Sequence, residues 1–184
     1  MSRLIHINGP PGIGKSTLAQ RYVSEHPGVL NCDIDVLRTL IGGWQHDFDA
    51  AGALIRPVAL GMISTYLRNG HDVVLPQLLV APPELEKFEA AARDAGSAFI
   101  ECVLMDDVES SLSRFHRRGG KGADSAWHAQ VTAVVAANGG DDLLIGLHRS
   151  LCELMAHRPN CFVIRSVEGQ VDDTYRSLVN ALHS

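Results

Sequence analysis

The sequence predicts a three-layer α/β/α domain built on a parallel sheet. Short apolar runs alternate with longer helical patterns along the whole chain. That is the order of strand–helix–strand crossovers, which require a sheet covered on both faces. A glycine-rich turn, residues 9–14, separates the first apolar run from the first helical pattern. No internal repeat or low-complexity linker divides the 184 residues, a length that suits one domain and is short for two.

The elements follow in order. Residues 3–7 (RLIHI) read as a strand, and the glycine turn opens a helix over 15–25. After Pro27-Gly28, residues 29–31 form a second short strand ending at Cys32-Asp33, and a helix over 36–41 stops at Gly42-Gly43. The polar and aromatic segment 44–52 leads into a long apolar helix over 53–69, broken by Gly70-His71. Residues 72–77 are a third strand, ended by Pro76. Pro82-Pro83 start a helix with Glu84 and Glu86 in its first turn, where carboxylates suit the dipole, and Gly96 closes it. Residues 98–105 are the fourth strand, and Asp106-Asp107 open a helix to Arg118. A basic glycine loop, GGKGAD (119–124), precedes two further helices, the second opened by Asp141-Asp142. Residues 161–164 are the fifth strand, and 171–182 the closing helix.

Composition narrows the function classes. Apolar residues are 46% and charged residues 20%, a globular balance. The net charge of -5 gives no bulk attraction to nucleic acid, so such a partner would need a local basic patch. No stretch reaches the uninterrupted apolar length of a membrane span. Ser2-Arg3 lead straight into the first strand with no secretory signal. Cys32, Cys102, Cys152 and Cys161 are scattered without ligand spacing, so reduced thiols and a cytoplasmic location are expected.

Residues 9–17, GPPGIGKST, fit the pattern G-x-x-x-x-G-K-[ST]. Glycines let the backbone turn its N–H groups toward phosphate oxygens where side chains would obstruct. Gly9, Pro10, Pro11, Gly12, Ile13 and Gly14 therefore form the expected nucleotide cradle with Lys15, Ser16 and Thr17. Lys15 supplies charge to the outer phosphates of ATP, the Ser16 hydroxyl is a ligand for Mg²⁺, and the helix starting there adds its positive end. The motif follows a strand and opens a helix, the context it needs.

Asp33, Asp35 and Arg38 lie just past the second strand, at the sheet edge where open parallel sheets bind ligands. Phosphoryl transfer needs a carboxylate to take the acceptor's proton and a cation to orient a substrate. Asp35 and Arg38 are three apart and can share a helix face. Asp35 is read as the catalytic carboxylate, and Asp33 either helps hold Mg²⁺ or caps the helix. Arg114, Arg117 and Arg118 stand at helical spacing before the loop carrying Lys121. Residues 114–124 can act as a lid, with Arg114 on the nucleotide and Arg117 and Arg118 on the transferring phosphate. Trp44, His46, Asp47 and Phe48 form a candidate acceptor wall, with Gln77 at the end of the third strand. His6 reads as a buried, satisfied histidine.

The glycine loop, the D-x-x-R of Asp35 to Arg38 and the arginines after the fourth strand together resemble P-loop kinases of the polynucleotide-kinase and small-molecule-kinase group. Chloramphenicol phosphotransferase and the tunicamycin-resistance protein look like members of it, the latter through LPQLLV at 75–80. The resemblance implies a P-loop NTPase fold with five parallel strands ordered 2-3-1-4-5. It places the general base on Asp35 and the binding of a phosphate of the acceptor on Arg38. It departs from many P-loop ATPases at the third strand, where Pro76-Gln77 replace a metal-binding Asp; Asp106 past the fourth strand reads more simply as a helix cap. The function expected is transfer of the terminal phosphate of ATP, with Mg²⁺, to a hydroxyl of a small molecule. The alternatives are a 5′-hydroxyl polynucleotide kinase and a nucleotide-binding switch or antibiotic-resistance binding protein with little transfer.

Overall fold

A computed structural model describes residues 1–118 and 124–183. In chain order the elements are β1 (Arg3–Asn8), α1 (Lys15–Glu25), β2 (Leu30–Asn31), α2 (Ile34–Arg38), α3 (Phe48–Arg68), β3 (Val73–Leu75), α4 (Pro82–Asp94), β4 (Ala98–Met105), α5 (Val108–Arg117), α6 (Asp124–Ala137), α7 (Asp141–Ala156), β5 (Phe162–Arg165) and α8 (Val171–His183). The five strands pair in parallel in the order β2-β3-β1-β4-β5, as expected.

The pleat sorts side chains onto two faces. From β1, β3 and β4, Leu4, Val73, Leu75 and Val103 join a core with Ile63 and Leu67 of α3, Leu85 and Phe88 of α4, and Leu151 of α7. The alternate residues Ile5, Ile7, Val74, Cys102 and Leu104 pack with Leu18 and Tyr22 of α1 and Leu178 of α8. Both faces are covered, so the strands read as nearly continuous apolar runs. A smaller cluster, Phe115, Val135 and Leu144, joins α5, α6 and α7.

Several boundaries differ from the sequence expectation, three of them for a plain local reason. α3 begins at Phe48, inside the segment expected to be irregular, because Asp47 caps it: its Oδ1 accepts from the Ala50 N–H at 2.9 Å. α2 begins at Ile34 because Asp33 caps it. β3 stops at Leu75, since Pro76 has no N–H for the ladder. α3 also corrects the reading of membrane spans. Its 21 residues, with hydropathy 1.3, are long and apolar enough to cross a bilayer by length and composition. In the fold, its Ile55, Ala59, Ile63 and Leu67 line the core.

Candidate active site

The glycine loop lies at the carboxyl end of β1, and its shape depends on missing side chains. Gly9 has φ +147°, and a Cβ there would meet the Leu104 carbonyl oxygen at 2.6 Å. Gly14, at φ +110°, is the left-handed residue from which α1 starts. Asn8 fastens the loop from behind. Its Oδ1 accepts from the Gly9 N–H at 2.9 Å and the Leu79 N–H at 3.1 Å, and its Nδ2 donates to the Leu79 carbonyl at 2.9 Å. Ser16 and Thr17 sit in the first turn of α1.

Lys15 folds back over its own loop, donating to the carbonyls of Gly9 at 2.8 Å and Pro10 at 3.0 Å. Burial, helped by the nearby charge of Arg118, outweighs the raising pull of Asp35 and Asp33 and holds its ammonium down at about 8. The lysine, the two carboxylates past β2 and the last residue of the α5 arm thus share one electrostatic environment.

On one side of the loop is a cleft lined by Gly12, Gly14, Thr17, Arg114, Arg117, Arg118, Ser166, Val167, Glu168, Gly169 and Val171, among others. Arg114 does more there than line a wall. Its Nη2 donates to the Ile13 carbonyl at 2.6 Å and its Nη1 to the Ser166 carbonyl at 2.5 Å, with Asp106 Oδ2 at 3.7 Å. The guanidinium expected on the nucleotide therefore braces the loop that would hold it. Arg117 pairs with Glu168 at the cleft's edge, while Arg118 is exposed. Lys121 and the rest of the basic glycine loop, 119–123, lie outside the described residues. Asp106 is not the cap of α5, as the sequence suggested. Asp107 is, its Oδ1 accepting from the Ser110 N–H at 2.8 Å, while Asp106 turns inward to Arg114.

Across the loop stand Asp33, Asp35 and Arg38. Asp33 is buried, and its Oδ1 accepts from the N–H groups of Asp35 at 3.0 Å and Val36 at 3.4 Å. It caps α2 with that oxygen and leaves its second oxygen out of the cap. Burial raises the Asp35 carboxyl and Asp33 raises it further, against the lowering pull of Arg38, Lys15 and Arg56. Arg38 is 5% exposed, its guanidinium carbon over the Phe48 ring at 4.0 Å from its centre and over the Trp127 ring at 5.6 Å. Trp127 in turn packs tilted against Trp44 and Phe48, the ring centres 5.4 Å apart in each pair. Of the expected acceptor wall, Trp44 and Phe48 take part in this aromatic group, Asp47 caps α3 and His46 is exposed. Gln77 is buried, and its Oε1 has no hydrogen-bond partner among the described residues. His6 Nε2 meets the Gln77 carbonyl at 2.8 Å, but its Nδ1 has no hydrogen-bond partner among the described residues and lies 3.7 Å from Glu101. The histidine expected to be satisfied is satisfied at one nitrogen.

Two parts of the site escaped the sequence reading. Residues 166–169 directly follow β5, so the strand-end rule that located Asp33 and Asp35 could have found them. Trp127 carried no local signal, because α6 reaches the aromatic group only through tertiary packing, helped by Gln130 Nε2 donating to the Gln45 carbonyl at 3.1 Å. Among the described residues no group of three or more His, Cys, Asp or Glu could hold a metal by itself, and all four cysteines are free.

Kinases are among the solved structures that this chain is similar to. A gluconokinase from Sinorhizobium meliloti 1021 superposes with a TM-score of 0.57 at 16% identity, over 97% of this chain and 91% of that one. The APS kinase of Mycobacterium tuberculosis matches 55% of this chain and 74% of its own at 21% identity and a TM-score of 0.44. No curated protein matches the sequence. The fold is that of the P-loop kinases. Residues 4–137 match the family model described as an AAA domain, and this span covers β1, the glycine loop, both acidic residues past β2, the α5 arginines and α6. The chain belongs to the AAA domain family.

Proposed function

We propose that this chain is a cytoplasmic, single-domain kinase that transfers the terminal phosphate of ATP, with Mg²⁺, to a hydroxyl of a small molecule. The observation that carries the reading is Asp35: a carboxyl raised by burial, within the electrostatic reach of Lys15 on one side and of Arg38 and Arg56 on the other. A base that must take a proton near neutral pH gains from such a raised value.

The hydroxyl oxygen attacks the terminal phosphorus, the bond to the bridging oxygen breaks, ADP leaves, and the hydroxyl proton passes to the Asp35 carboxylate. Lys15 exchanges the Gly9 and Pro10 carbonyls for phosphate oxygens, and the 9–14 backbone and the start of α1 hold the remaining charge. Arg117 and Arg118 neutralise charge that builds on the transferring group; for Arg117 this means leaving Glu168. Arg38 faces the acceptor. The base of the nucleotide is assigned to the cleft beside Val167 and Gly169, with Arg114 bracing it. The donor chemistry suits Mg²⁺, because one hydroxyl at Ser16 and the uncapped oxygen of Asp33 leave most of its coordination to phosphates and water. When bound, the ion would neutralise phosphate charge.

ATP labelled on its terminal phosphate, offered to sugars, nucleosides, antibiotics and oligonucleotide 5′ ends, tests the reading. Label is expected on a small molecule and not on oligonucleotides; the reverse would overturn it in favour of a polynucleotide kinase. With the acceptor in hand, Asp35→Asn should lower turnover by at least about 10²-fold while leaving ATP affinity nearly unchanged. Asn caps helices about as well as Asp, so wild-type turnover in this variant would reduce Asp35 to a structural residue.

A further inference from the structure

The outer face of α3 is apolar, and the described residues leave it uncovered. The helix is apolar enough to be buried throughout, yet only 33% of its most apolar stretch is buried. Ala50, Ala53, Leu54, Pro57, Val58 and Gly61 recur at the three- and four-residue spacing that sets them on one side, and all six are exposed. Leu54 is 62% exposed and Val58 52%. Single apolar side chains on a surface are ordinary, but a continuous stripe marks a contact.

Two residues of the stripe weaken the helix that carries them. Pro57 stands in its interior without an N–H for the backbone ladder, and Gly61 has poor helix propensity. Packing within the chain does not require the glycine, since a Cβ at Gly61 would meet nothing within 4 Å. It leaves a hollow on the exposed face. The ends of the stripe carry opposite charges. Asp47 caps the helix through Oδ1 alone, and Arg68 in the last turn makes no salt bridge among the described residues.

We propose that α3 pairs antiparallel with α3 of a second copy of this chain, about a two-fold axis that crosses the helix between Pro57 and Val58. Three matches follow from that one axis. Leu54 of each copy falls opposite Gly61 of the other, a large side chain against a hollow. Asp47 falls opposite Arg68 at both ends, an acid against a base. Ala50 falls opposite Thr65, so small side chains let the helices approach closely, near the short end of about 8–10 Å between axes. A parallel pair would instead set Arg68 against Arg68 and Leu54 against Leu54. The stripe is therefore its own complement, as a two-fold interface requires. One helix face about 30 Å long lies at the low end of specific interfaces, so a reversible dimer with a Kd in roughly the micromolar range is expected. The inward side of α3 carries Gly52 against the Arg38 guanidinium, so the second copy braces the wall of the candidate site from behind.

Sedimentation equilibrium of the full chain over about 1–200 µM tests the pairing without any turnover. The average mass should climb from that of one chain toward that of two. One chain mass throughout would overturn the proposal, and so would binding to lipid vesicles without self-association. Gly61→Gln fills the hollow without touching its own chain. It should weaken association by about tenfold or more, while the thermal midpoint of the monomer holds or rises, because Gln forms helix better than Gly. Arg68→Glu should also weaken association. Adding Asp47→Asn, which keeps the cap, should restore part of that loss by removing the repulsion. Cross-linking in a Cys152→Ser background, free of the exposed native thiol, reads the register. Under mild oxidation Val58→Cys should join two copies across the axis, whereas Thr65→Cys stands about 22 Å from its own copy and should not. Equal cross-linking at both positions, no Val58→Cys cross-link in a self-associating chain, or wild-type association in Gly61→Gln would each overturn the pairing.

Discussion

Lys15 shows how one side chain can set a pH dependence. With no nucleotide bound its ammonium is pushed down to about 8, while a bound polyphosphate favours the charged form and raises it. The nucleotide therefore binds best to the protonated lysine. Affinity should hold level below that value and fall by up to about tenfold per pH unit above it, until the value in the complex is reached. Calorimetric titration of ADP across this range, at fixed ionic strength, checks it; Lys15→Ala should flatten the curve above that value. A wild-type curve as flat as that of the variant would mean that the ammonium does not touch phosphate. The glycine loop was legible because its residue types stand at fixed spacing in an uninterrupted stretch. Asp33 was half legible: residue type permitted a cap or a ligand, and only the path of the backbone shows Oδ1 facing the Asp35 and Val36 N–H groups. The contacts of Arg114 were not legible, because helical spacing shows which residues share a face and not what that face meets. Here it meets the carbonyls of Ile13 and Ser166.

Among the elements, the strand ends do the positioning. β1 delivers the glycine loop, β2 delivers Asp33 and Asp35, β3 delivers Gln77, and β5 delivers residues 166–169. Strand and helix order followed from the alternation of apolar runs. Element starts were missed where a cap lay inside a polar stretch, as Asp47 does before α3. Arg114 links two of these ends, those of β1 and β5, and its removal has a measurable consequence. Arg114→Met should lower stability by about 2–3 kcal/mol, the value of charge-assisted hydrogen bonds to two carbonyls, in urea unfolding. Arg114→Lys should recover less than half of that, because an ammonium cannot fork between Ile13 and Ser166. If Arg114 were simply a nucleotide contact, the unfolding midpoint would not move and only ADP affinity would fall.

At the scale of the whole molecule, one charged group crosses the apolar interior. Glu101 on β4 is 5% exposed and lies beside His6 of β1, while Arg158 past α7 pairs with both Glu101 and Glu89 of α4. Burial raises the Glu101 carboxyl, but the nearby His6 and the hydrogen-bonded Arg158 outweigh it and hold the group below its ordinary value. A lowered carboxylate adds stability above its unfolded value, about 4.3, and loses it as pH falls toward the folded value. Glu101→Gln should therefore reduce stability at neutral pH and narrow the loss below about pH 4.3, read by thermal melts across that range. A melt series parallel to wild type would exclude Glu101 from the acid response. Neither the network nor the face of His6 was legible in the sequence, since β1, β4 and the turn after α7 meet only through the strand order.

The walls on the two sides of the glycine loop are held by different kinds of force. The cleft beside Ser166 is fastened by directional bonds from Arg114 and Asn8 to backbone carbonyls and amides, which tolerate little displacement. Across the loop, Trp44, Phe48 and Trp127 pack at a tilt around Arg38, and such ring contacts can shift and be exchanged for other flat or apolar groups. Descent with modification would treat these walls unequally. The first is a socket that any change of residue loosens, and the second is an interchangeable jaw. Segments 44–48 and 124–137 can be rewritten to admit a new acceptor while the socket keeps its nucleotide, so one scaffold can be refitted for many substrates through a few aromatic positions.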